Sequence, residues 1–126
     1  MRRRSRRSNP VLELRVVVDG RVAIGPVQAM LLEAIRATGS IAAAQRHIGT
    51  SYAHAWKLVM AMNEMFSMPL VEPNRGGIRG GGAMLTEQGH KVLDSFRRLE
   101  TRSKTEGQAE LLVISRAAGH AAAKKR

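Results

Sequence analysis

The chain has 126 residues and no cysteine, so it has room for one domain with short flanks and excludes disulfides and thiolate metal sites. Its formal charge is +11, and nine of those charges lie at the ends: five Arg within residues 1–9, and Arg116, Lys124, Lys125 and Arg126 within 116–126, with no acid in either segment. Such ends suit a polyanion, nucleic acid or an anionic membrane surface, against the plainer reading of a solvated solubility tail.

Residues 1–9 read as a disordered basic arm. Val11–Val18 begins in alternation and ends in a β-branched run, Asp19-Gly20 follows, and Arg21–Ile24 is apolar again. A DG pair between apolar runs predicts a hairpin, because both turn positions need positive φ. The Arg-rich start resembles a secretory leader, but Glu13 and Arg15 interrupt the apolar run and no small-residue cleavage site follows. No segment approaches the roughly 20 apolar residues of a membrane span. A soluble, cytoplasmic protein is expected.

Pro26 suits the first turn of a helix, which Met30, Leu31, Ala34 and Ile35 mark by their spacing and Thr38-Gly39 ends. Ser40 predicts an N-cap for a short helix, Ile41–Ile48, and Gly49 a tight turn. Thr50 or Ser51 would cap the next helix, which runs to about Phe66 with Ala55, Val59, Met62 and Phe66 on one stripe and Leu58 and Met65 beside it. Two helices joined by a glycine turn behind a packing helix make a helix-turn-helix. The short strands Leu70–Glu72 and Ala83–Leu85 flank a stretch with five glycines, which suits a hairpin tip, or wing. Thr86 reads as an N-cap with Glu87 near the positive helix end, and the helix beyond carries Val92, Leu93, Phe96 and Leu99 as a stripe that ends by Gly107. The run Leu111–Ile114 has no assignable state, and residues 106–126 are expected to be a basic tail.

The second helix of a helix-turn-helix contacts base edges with its first turns. Ser51, Ala53, His54 and Lys57 face away from the apolar stripe, with Arg46 nearby. Ser and His can bond bases or phosphates, and Lys57 and Arg46 suit phosphate positioning. The alternative is a solvated helix face. Arg75 and Arg79, set among the wing glycines, could reach a phosphate or a minor groove. Tyr52 and Trp56 lie one turn apart: a platform for single-stranded bases is conceivable, and packing in the core is the expectation. The glycine-rich stretch lacks Gly-Lys-Ser/Thr, and His47, His54, His90 and His120 have no metal-site spacing. No spacing suggests a catalytic triad or a carboxylate pair. Neither an enzyme nor a cofactor is expected.

The segments Thr38–Ile41, Gly49–Tyr52, Ala55-Trp56 and Met62-Asn63, then the wing Gly76–Ala83 with Leu85-Thr86 and Gly89, resemble the DNA-binding domain of the molybdate-responsive ModE-type regulators. The resemblance covers about residues 11–100. It implies a mainly α winged helix-turn-helix with an N-terminal hairpin, residues 10–105, that dimerises through a long last helix. It also implies that Ser51–Lys57, Tyr52 included, read double-stranded DNA and that Arg75–Ala83 form the wing. Two positions depart from the pattern: Ala53 stands where many members have a basic residue, and Gln45 where a small residue is common. A different operator preference follows. Full-length members add molybdate-binding domains; the residues after 105 are too few for one, which predicts no molybdate binding by this chain alone. The expected partners are duplex DNA and a second copy, because the stripe Val92, Leu93, Phe96 and Leu99 exceeds what so small a core can cover. A nucleoid-associated protein of low sequence specificity is the other class that the basic ends allow.

Overall fold

A computed structural model describes residues 10–74 and 82–124. The elements run β1 (Val16–Val18), β2 (Arg21–Ile24), α1 (Pro26–Thr38), α2 (Ile41–Ile48), α3 (Tyr52–Met65), β3 (Val71–Asn74), β4 (Gly82–Leu85), α4 (Glu87–Glu106) and α5 (Gln108–Lys124). The fold is mainly α with two small antiparallel hairpins, β1–β2 and β3–β4. It is a winged helix-turn-helix with an N-terminal hairpin. Packing separates a unit of Leu14–Arg97 from a second unit, in which residues 10–13 and 98–124 are described. The basic arm expected over residues 1–9 lies outside the described residues.

In the first unit, Asp19 (φ 51°) and Gly20 (φ 77°) take the positive angles that the DG turn requires. Pairing covers only Val16↔Ile24, Val17↔Val22 and Val18↔Arg21, with a slip between Val16 and Val17. The first strand is therefore shorter than the Val11–Val18 run: β2 offers four residues, and Pro26 then opens α1. Gly25 N–H is satisfied by Gln28 Oε1 at 3.0 Å, which closes the helix start. At the far end Gly39 turns left-handed (φ 82°) and its N–H donates to Ile35 O.

The core gathers Leu31, Leu32 and Ile35 from α1, Ala44 from α2, Ala55, Val59 and Met62 from α3, Leu70, Val71, Ala83 and Leu85 around the second hairpin, and Leu93 and Phe96 from α4. Here the expectation of a free α4 stripe is corrected. Leu93 and Phe96 are fully buried in the unit's own core and Val92 packs against it; of the four, Leu99 alone stands out, 44% exposed. The first unit needs these side chains because its few aromatics leave volume to fill. Ion pairs tie the same helices at the rim. Arg97 donates from Nε and Nη2 to both oxygens of Glu33, at 2.9 and 2.8 Å, and Arg36 reaches Asp94 at 3.2 Å.

In the second unit α4 runs on to Glu106, and helical bonding continues through the next residue. Gly107 N–H donates to Ser103 O and Leu111 N–H to Gly107 O, both at 2.9 Å. The run Leu111–Ile114, unassigned from sequence, is thus helical, and so is most of the expected tail. Leu112, Val113 and Ile114 are all exposed.

Candidate nucleic-acid interface

The turn between α2 and α3 fixes where α3 begins. Ser40 caps α2 by accepting from Ala43 N–H at 2.9 Å, and Gly49 ends it in the left-handed region (φ 78°). Gly49 and Thr50 both donate their N–H to Gln45 O, while the Gln45 side chain donates from Nε2 to Thr50 O at 2.9 Å. Gln45, a departure from the expected pattern, therefore closes the turn itself. Of the two candidate caps it is Ser51 that acts, accepting from His54 N–H at 3.1 Å.

From that start α3 divides into faces. Ala55, Val59 and Met62 are buried, and Leu58 and Phe66 pack beside them. The first two turns present Tyr52, Ala53, His54 and Lys57 to solvent, next to the exposed cap Ser51; Arg46 is exposed in the last turn of α2. One helix-turn-helix corner thus brings six of the eight expected residues together. Arg75 and Arg79 lie outside the described residues. Trp56 departs from expectation: it is not core but 45% exposed, on the same flank as Tyr52. The 3.6-residue period could have found it, since Trp56 is about 100° from Ala55 and outside the buried arc.

The wing hairpin is held in place by backbone and side-chain hydrogen bonds. In β3–β4 the register pairs Val71 with Leu85 and Asn74 with Gly82, and Ala83 N–H donates to Gly39 O at 2.8 Å, linking the hairpin to the α1–α2 turn. Asn63, at the end of α3, donates from Nδ2 to Val71 O at 3.0 Å and accepts from Leu70 and Val71 N–H at 2.9 and 3.2 Å. Leu70 O in turn accepts from Thr86 N–H, and Thr86 Oγ1 donates to Pro69 O and accepts from Gly89 N–H. Several residues that carry the family resemblance (Asn63, Thr86 and Gly89) are therefore joints that tie α3 and the start of α4 to the β3–β4 hairpin. Among the described residues no three His, Asp or Glu side chains are grouped to hold a metal, and no helix is long and apolar enough to cross a membrane.

A second helix exposed at its start, closed behind by a packing helix and flanked by a bonded hairpin, defines the winged helix-turn-helix class. No protein-family model matches the chain. It is similar to the molybdenum-pterin-binding protein MopB of Rhodobacter capsulatus, 43% identical over 71% of this chain and 31% of the relative. It is 35% identical to the transcriptional regulator ModE of Haemophilus influenzae over 73% of this chain and 36% of the relative. With the DNA-binding transcriptional dual regulator ModE of Escherichia coli it shares 37% identity over 56% of this chain and 27% of the relative. Over most of its length the chain is therefore homologous to ModE-type regulators, and it spans about a third of the length of the relatives it matches.

Proposed function

We propose that this chain is a sequence-specific transcription regulator that binds a pseudo-palindromic operator as a homodimer. The observation that carries this reading is the outward face of α3, where Tyr52, Ala53, His54 and Lys57 stand exposed above a fully buried inner stripe. Ser51 and His54 would bond base edges, while Lys57 and Arg46 position phosphates. Arg75 and Arg79 would grip a phosphate or the minor groove from the wing. The transcription-regulator names of two relatives support the assignment. Exposed Leu99, Leu112, Val113 and Ile114 supply apolar surface for a second copy. Two-fold pairing would set the reading helices roughly 34 Å apart, one turn of the duplex.

Molybdate sensing is not part of the proposal for these 126 residues. An oxyanion site needs converging donors in a formed pocket. DNA affinity is expected not to respond to micromolar molybdate, and calorimetry on the chain checks this: a stoichiometric site would reject it.

The concentration of charge at the chain ends favours one second reading, a nucleoid-associated protein that grips any duplex. Competition gel shifts at fixed salt separate the two. A regulator prefers its selected duplex over random duplex by about a thousandfold or more. A ratio near one rejects the regulator and supports the second reading.

A further inference from the structure

Tyr52 and Trp56 are about half exposed although they are the chain's single Tyr and single Trp. At 100° per residue Tyr52, Trp56 and Met60 follow one flank of α3, between the buried stripe and the outward face. That flank borders an open groove of about 260 Å³, whose other walls include Ile41 and the wing-strand residues Val71, Pro73 and Ala83. An apolar strip thus runs beside the outward face of α3.

We infer that the Tyr52–Trp56 flank reads thymine by its 5-methyl group. This rests on the DNA-reading role proposed for α3. The first turns of such a helix meet base edges in the major groove. Those edges are polar donors and acceptors, with one exception: the thymine methyl is the apolar group that unmodified base pairs present there. Stacking is closed to these aromatics on a duplex, because paired bases already stack on each other; it would need a single strand. Tyr52, Trp56 and Met60 therefore find their chemical match in thymines at neighbouring steps, with the Tyr52 hydroxyl free to meet a phosphate. The flank also explains how the helix can specify bases while Ala53 offers no polar group of its own.

The test uses the full chain and a duplex selected from a random-sequence library at fixed salt. Each thymine is replaced singly by deoxyuridine, which removes one methyl and leaves pairing and polar edges unchanged. At one or two positions deoxyuridine should weaken binding about three- to fivefold, the worth of one buried methyl. Trp56→Ala should abolish that penalty at one such position, and Trp56→Phe should keep it. Because Trp56 is half exposed, both variants should fold, and their melting curves verify it. The emission of the single Trp should shift to the blue on the thymine duplex. Two results overturn the inference while leaving α3 a reading helix: a selected duplex indifferent to every deoxyuridine, or a Trp56→Ala loss equal on thymine and deoxyuridine duplexes, which would mean a sequence-blind sugar contact. If no duplex is selected over random, the reading role itself fails and the methyl contact falls with it.

Discussion

The joint beneath the wing and the outward face of α3 lie within the same unit and follow opposite rules. At the joint, Asn63, Leu70, Thr86 and Gly89 exchange hydrogen bonds of 2.9 to 3.3 Å, and Leu70 is wholly buried. On the face, Tyr52, Ala53, His54 and Lys57 are exposed. The first region turns its polar groups on itself; the second leaves Tyr52, His54 and Lys57 open to solvent. Substitutions at the joint should therefore change stability, and substitutions on the face should change binding.

The largest effect is expected at Gly89. A Cβ there would lie 2.2 Å from Leu70 O, a backbone atom that the Thr86 N–H bond also holds in place. Gly89→Ala must push β3 and α4 apart, which should cost more than about 3 kcal/mol. Urea unfolding would measure it, and a variant as stable as the parent would show that the joint yields. Asn63→Ala comes next. It strands the N–H of buried Leu70 and leaves two groups of Val71 without this partner, for a loss of about 2–4 kcal/mol. Asn63→Asp keeps the two acceptor contacts and should recover part of that loss.

Ser51 follows both rules at once and sharpens the division. Its hydroxyl caps α3, so Ser51→Ala should cost about 1 kcal/mol before any DNA is present. Ser51→Asp retains the cap and brings a carboxylate to the corner proposed to meet DNA. It should melt like the parent and yet lose DNA affinity, by melting curves and gel shift on the same preparation. Retained affinity in Ser51→Asp would place the cap away from the phosphates.

Much of the fold was legible because its punctuation is local. Asp19-Gly20, Gly39, Gly49, Ser40 and Thr86 each act through backbone angles or caps within three residues, and all stand where the sequence placed them. The exposed face of α3 followed from its 3.6-residue period. What the sequence left unread depends on contacts distant along the chain. Leu93 and Phe96 looked like a surplus stripe because the demand for them comes from the core built by α1, α3 and the second hairpin. Trp56 looked like core because residue type outweighed its position on the helix. Gln45 and Asn63 carry no motif that reveals which carbonyl they will satisfy. The state of Leu111–Ile114 was open because an apolar run of that length suits strand or helix alike.

The smallest effect expected lies at the rim, where neither rule is pure. The fork of Arg97 holds the Glu33 carboxyl below its usual range, chiefly through the hydrogen bonds it donates, with its charge adding to them and burial opposing. A depressed carboxyl pKa adds stability at pH values above the unfolded range, near 4.3, and loses it as pH falls through the lower folded value. Both side chains are more than a third exposed, so solvent screening keeps the contribution under about 1 kcal/mol. Glu33→Gln should therefore sit slightly below the parent in stability, by a constant amount between about pH 6 and 8, and converge with it below about pH 4. Paired urea titrations across that range isolate the pair, because every other titrating group is common to both proteins. A difference that grows as pH falls would have the wrong sign for a carboxylate stabilised in its charged form, and would reject Arg97 as the cause.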